Sequence, residues 1–130
     1  MQIHILPLYA ALLALLFVVL SVRTLLLRKN LQIGIGDAGN KQLQRAMRVH
    51  ANFSEYVPLA LLLLFLLETT AAPGWLLHAL GSSLLLGRLL HAYGVSQQKE
   101  DLRFRVSGMA LTFITLLGGA GYLLFSYLRT

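Results

Sequence analysis

The sequence predicts an all-α integral membrane protein, a four-helix bundle that crosses the bilayer four times. Three observations carry this. Only 12% of the 130 residues are charged and 57% are hydrophobic, with a mean hydropathy of +0.70; soluble domains carry about a quarter charged residues. Four apolar stretches follow one another, each close to the roughly 20 residues a spanning helix needs. The basic residues clump in the loops between them instead of spreading along one face. Clumping of this kind sets membrane topology. It does not make a nucleic-acid surface, because no basic stripe with interleaved aromatics is present. With no cysteine in the chain, any thiol chemistry must use a thiol supplied by a ligand.

One domain over residues 1–130 is expected, with helices over about 3–28, 41–70, 74–95 and 104–128. The first apolar stretch, Ile5 to Val22, is uncharged until Arg23. It is longer than a signal-peptide core of roughly 7–15 residues and lacks a basic leader, so it reads as a spanning helix. Arg28 to Arg48 follows, with Gly34, Gly36, Asp37, Gly39 and Asn40 marking a connector. Its glycines do not match a phosphate-binding loop. Asn40 suits the cap of a helix that starts near Lys41. The second span ends near Glu68, and the turn "TTAAPGW" puts Trp75 at an interface. The third runs to about Val95, "SQQKEDLR" is a polar loop, and Val106 to Leu128 carries no charge.

Orientation follows from the loops. Arg23, Arg28, Lys29, Lys41, Arg45 and Arg48 lie in or beside the first loop; Lys99, Arg103 and Arg105 lie in or beside the third. The second loop and the N-terminal tail have neither Lys nor Arg. Both basic loops are therefore placed in the cytoplasm and both termini outside.

Glu55 is the odd residue. Counting about 1.5 Å per residue back from Glu68, it lies roughly 20 Å from the outer edge. In a hydrocarbon core about 30 Å thick, that is roughly 10 Å below the cytoplasmic surface. Arg88, 13 residues past Trp75, reaches the same depth. An intramembrane charge costs at least about 2.5–3.5 kcal/mol, so such groups are expected to face a shared interior. Helical phase agrees. Arg45, Arg48, Asn52, Glu55 and Leu59 share a face of helix two, Arg88 and His91 a face of helix three, and Arg105, Gly108, Thr112 and Thr115 a face of helix four. A Glu–Arg pair alone serves a bundle as well as a site. Four arginines (45, 48, 88 and 105) around one glutamate leave surplus positive charge, which calls for an amphiphilic anion. His50 suits either a neighbouring-helix contact or a ligand role. Tyr56 and Tyr93 suit either hydrogen bonding in the site or an interfacial belt. His50 and His91 lack a third ligand at metal-binding spacing, so no metal site is expected. "GGAG", residues 118–121, suits close helix contact.

"RAMRVHANFSEYVPL" strongly resembles the second-helix signature of the MAPEG family, the membrane-associated proteins of eicosanoid and glutathione metabolism. "GDAGN" resembles the loop of its bacterial branch, which implies a bacterial inner membrane, "GRLLHAYG" the third-helix pattern and "RVSGMALT" the start of the fourth. The resemblance covers nearly the whole chain. It implies four-helix subunits assembled as a homotrimer, with glutathione as co-substrate at the cytoplasmic side. It implies that Arg48, Asn52, Glu55 and Tyr56 hold glutathione, that Arg88 and His91 assist, and that Arg105 stabilises the thiolate. A nearby cation favours the ionised thiol, which is the nucleophile. The implied function is a membrane-bound glutathione-dependent transferase or peroxidase acting on a small lipophilic electrophile that arrives through the lipid bilayer. A non-catalytic scaffold or lipid- or thiol-binding trimer and a small four-span transporter are the other classes open. Two features depart from the family. The position one turn past His91, where tyrosine is frequent, is Val95. The first-helix arginine used by some members has two candidates, Arg23 and Arg28.

Overall fold

The computed structural model describes residues 4–129, and the expected helix start at residue 3 lies outside them. Four helices follow in order, with no strand among the described residues: α1 (Leu6–Leu31), α2 (Lys41–Thr69), α3 (Gly74–Ser96) and α4 (Leu102–Tyr127). α1, α2 and α4 are each long and apolar enough to cross a bilayer. α3, with 23 residues, is long enough but carries His78, Ser82, Ser83, Arg88 and His91, which lower its apolar character.

The ends are set by local chemistry. Pro7 in the first turn of α1 costs no hydrogen bond, because the first amides of a helix have no internal partner. α1 runs past the expected end at residue 28 and stops at Gln32, which takes a left-handed conformation with φ of 55°. The Asn40 side chain accepts from Leu43 N at 2.9 Å and starts α2, as the sequence suggests. Asp101 does the same for α4 by accepting from Arg103 N at 3.0 Å, so α4 begins two residues before the expected 104. α2 continues unbroken through Pro58, whose missing N–H leaves the Ser54 carbonyl without its usual donor.

α1 packs on α2 and α3 and makes no contact with α4 among the described residues. The core runs along the facing sides as Leu13, Leu20, Val49, Phe53, Val57, Ala60, Leu64, Leu67 and Leu84. The outward faces carry Leu15, Val19, Leu62, Ile114, Leu117 and Leu124, all exposed. A water-soluble monomer does not present apolar surface on this scale; lipid does not penalise it.

α3 and α4 meet backbone to backbone. A Cβ at Gly87 would lie 2.8 Å from Gly108 O, and one at Gly94 would lie 2.8 Å from Phe104 Cβ. Hydroxyls seal the seam, with Ser83 donating to Leu111 O at 2.9 Å and Thr115 to Leu80 O at 3.1 Å. The nearest neighbours of a Cβ at Gly118 or Gly119 are side-chain atoms of Leu80, Leu63 and Leu67, and nothing lies within 4 Å of a Cβ at Gly121. The closest helix approach is therefore at Gly87, Gly94 and Gly108, not at "GGAG".

At the outer end a carboxylate performs the capping. Glu68 is 8% exposed. Its oxygens accept from the backbone amides of His4, Ile5 and Leu6 at 2.7, 2.7 and 2.8 Å. The end of α2 thereby satisfies the start of α1, where orphan N–H groups and the positive end of the helix dipole both favour an anion.

Candidate functional site

Phase on α2 decides which polar residues reach the interior. Successive residues turn by about 100°. Measured from buried Phe53, Tyr56 lies about 60° around the helix, Asn52 about 100°, Arg48 about 140° and Glu55 about 160°. Tyr56 and Asn52 thus sit at the edge of the α2 interface and are half-buried, whereas Arg48 and Glu55 are exposed. The interior cation comes from α3. Arg88 is 1% exposed. It donates from Nη2 to Asn52 Oδ1 at 2.6 Å and from Nη1 to Thr112 Oγ1 at 3.4 Å. The expected pairing of Arg88 with Glu55 is not made; the neutral amide one turn earlier takes that place. Glu55 has no ion pair within the chain among the described residues. Tyr56 sets its ring edge against Phe113 of α4 at 5.8 Å.

Beside this buried arginine, which touches Asn52 and Met109, the three helices border a small open cavity of about 230 Å³, lined by Arg48, Asn52, His91, Val95, Arg105 and Met109. His91 is 4% exposed, and its Nδ1 has no hydrogen-bond partner. The Nε of Arg88 is likewise buried without a partner. A second cavity of about 350 Å³ adjoins the first through Arg48, Val95 and Arg105, and adds Lys41, Gln44, Arg45 and Glu100. Gly94 and Gly108 make the site narrow, because they bring the backbones of α3 and α4 together beside His91 and Arg105.

Arg45, Glu100 and Arg105 form an ion triad. Arg45 Nη1 donates to Glu100 Oε2 at 2.9 Å and to the Val95 carbonyl at 3.0 Å. Arg105 Nε lies 3.1 Å from Glu100 Oε1. The triad brings the α1–α2 and α3–α4 loops to the same end of the bundle. The charges lining the two cavities are four cationic side chains, Lys41, Arg45, Arg48 and Arg105, against the single carboxylate of Glu100. Such a site can bind an acidic molecule and stabilise negative charge on it.

Other candidates point elsewhere. His50 donates to or accepts from Ser21 Oγ at 2.9 Å and stacks on Phe17 at 4.9 Å, on the α1 side. Tyr93 is exposed and meets Phe104 edge-on at 5.0 Å. Arg28 folds back on the connector, donating to the carbonyl of Gly36 at 2.9 Å, and Arg23 donates to Ser96 Oγ of α3. Neither first-helix arginine lines the two cavities. Val95, one turn past His91, does line both and gives them an apolar wall. Glu100 is the residue sequence reasoning missed. Nothing in the sequence set it apart: Asp101 stands beside it, and its partner Arg45 lies 55 residues away.

The MAPEG family model matches residues 6–125, nearly the whole of the four-helix unit. The chain belongs to the MAPEG family. Its fold is the membrane helical bundle of that family. The chain is 41% identical over 110 residues to the inner membrane protein YecN of Escherichia coli strain K12, covering 85% of this chain and 82% of the relative. The YecN of Escherichia coli O6:H1, strain CFT073, matches with the same identity and coverage. No solved structure matches. Family membership, the inner-membrane relatives and the three apolar helices together make this MAPEG protein an integral protein of the inner membrane.

Proposed function

We propose that this MAPEG-family protein binds glutathione in the cavity between α2, α3 and α4 and conjugates or reduces a lipophilic electrophile that enters from the bilayer. One observation carries the reading: Arg48, Asn52, His91 and Arg105, from three helices, converge on one cavity with surplus positive charge. Arg48 and Arg45 suit the carboxylates of the tripeptide. Asn52 is held by Arg88 and presents a fixed amide. Arg105, at the cavity mouth, is the group suited to lower the thiol pKa and hold the thiolate, as a cation within about 4–6 Å does. The bound thiolate attacks the electrophilic carbon of the second substrate, and the leaving group departs with the electron pair of the broken bond. Glu55 supports a trimer. An exposed carboxylate about 10 Å inside a bilayer is costly, and a neighbouring subunit would cover it and extend the site.

The test is a thermal-shift titration of detergent-purified protein. Glutathione at one hundred times its dissociation constant should add about 2.7 kcal/mol to folding. The variant Arg105→Ala is expected to bind glutathione more weakly and to lose conjugation of a chlorodinitrobenzene. No thermal shift at millimolar glutathione sinks the binding reading, and full turnover by Arg105→Ala removes Arg105 from the chemistry. The contact of Arg105 with Glu100 favours a second reading, a thiol-binding trimer without catalysis. It gives the thermal shift without turnover.

A further inference from the structure

The carboxylate of Glu100 neither holds nor activates the thiol in the function just proposed, yet it lies between two arginines of the site. Its side chain is 9% exposed and touches two arginines, Arg45 at 2.9 Å and Arg105 at 3.1 Å. The two contacts are unequal. Arg45 is also anchored by the Val95 carbonyl and keeps its place if Glu100 lets go. Arg105 meets Glu100 as an ion pair without a hydrogen bond, since the buried Oε1 has no hydrogen-bond partner; it has no other carboxylate contact among the described residues, and its side chain is 44% exposed. Arg105 lines both cavities, whereas Glu100 lines only the outer one. Glu100 therefore sits behind the one arginine of this pair that faces the inner cavity.

We propose that Glu100 is a built-in competing anion, a positioning residue that shares Arg105 with an acidic group of the ligand and thereby sets the anion affinity of the site. Two negative groups cannot both take the full benefit of one guanidinium. With Glu100 charged, a ligand anion beside Arg105 meets a partly neutralised cation. With Glu100 neutral, Arg105 turns wholly to the cavity, while Arg45 stays tied to Val95. For a bound thiol this means a higher pKa with Glu100 charged and a lower one with it neutral. That consequence rests on the glutathione reading; the general anion effect does not.

The experiment uses the full-length chain in detergent and two probes, inorganic sulfate and glutathione. The variant Glu100→Gln keeps a carbonyl oxygen for Arg45, removes the charge and puts an NH₂ donor in place of the second oxygen. It should bind both probes about tenfold more tightly, and the pH midpoint of thiolate ultraviolet absorbance of bound glutathione should fall by about one unit, the effect of deleting one like charge nearby. Adding Arg105→Gln to that variant should abolish the gain. A purely structural role for Glu100 lowers the melting temperature without moving the thiolate midpoint. If sulfate tightens but glutathione binds to neither form, the assignment of Glu100 stands and the glutathione reading falls. If a folded Glu100→Gln protein tightens neither probe, the assignment is overturned, whatever the wild type does with glutathione. Should Glu100→Gln fail to fold, Glu100→Asp withdraws the charge by one methylene and should give a smaller gain in sulfate affinity; no gain overturns the proposal equally.

Discussion

Replacing Gly108 by leucine is expected to separate α3 from α4 and to destabilise the bundle by at least about 3 kcal/mol, the upper end of the overpacking range. A Cβ at Gly108 would lie 2.6 Å from both Gly87 O and His91 N, and 2.8 Å from His91 Cβ. Two of these neighbours are backbone atoms of a packed helix, which have no rotamer to yield with. The sign runs against helix propensity, since leaving glycine for another residue in a helix interior ordinarily gains up to about 1 kcal/mol. The site suffers with the fold, because Arg88 reaches Thr112, and His91 faces Arg105, only while the two helices touch. Gly121→Leu is the control, with nothing within 4 Å of the added Cβ. Thermal unfolding in detergent decides the matter. A Gly108→Leu protein that melts with the wild type would mean that the α3–α4 seam does not depend on backbone contact.

The second large effect is expected at the opposite end of the bundle. Glu68→Ala removes the acceptor for three amides at the start of α1. Hydrogen bonds to a charged group are worth about 1.5–3 kcal/mol each and are not additive, so a net loss of about 3 kcal/mol is expected. Glu68→Gln should recover part of it. Its carbonyl oxygen still accepts, but its NH₂ group brings a donor to a cluster of donors. Amide hydrogen exchange at Ile5 and Leu6 should rise by orders of magnitude in Glu68→Ala, as the first turn of α1 frays. Sulfate binding at the cationic cavity per folded molecule, and that of glutathione under the proposed function, should not change, because Glu68 closes the outer end of α2 and the cavity lies toward its start. Unaltered exchange at these amides would show that the carboxylate contributes little to holding α1.

Several parts of this molecule could be read from residues alone. Long uncharged stretches fix helices and their approximate lengths, because a membrane offers the backbone no other partner than itself. Asn40 announces the start of α2. The cationic character of the site is also legible: Arg48, Asn52, His91 and Arg105 share faces at helical spacing, and the structure gathers them around one cavity. The two carboxylates that matter most to the architecture were not legible. Glu68 caps a helix 62 to 64 residues away in sequence, and Glu100 bridges Arg45, 55 residues away, to Arg105. Contacts between groups so distant in sequence leave no periodic trace.

What the sequence determined alone is therefore the set of helices, their membrane setting and the sign of the charge between them, since each follows from local composition and a fixed turn of about 100° per residue. What only the tertiary structure decided is which of those charges meet. A shift of three residues on α2, from Glu55 to Asn52, changes the partner of Arg88 from an acid to an amide, and helix phase fixes that outcome only once the neighbouring helices are in place. His50 turned to α1 and Tyr93 to the surface for the same reason: a side chain's surroundings belong to the helix packed against it, which the residue's own neighbours in sequence do not specify.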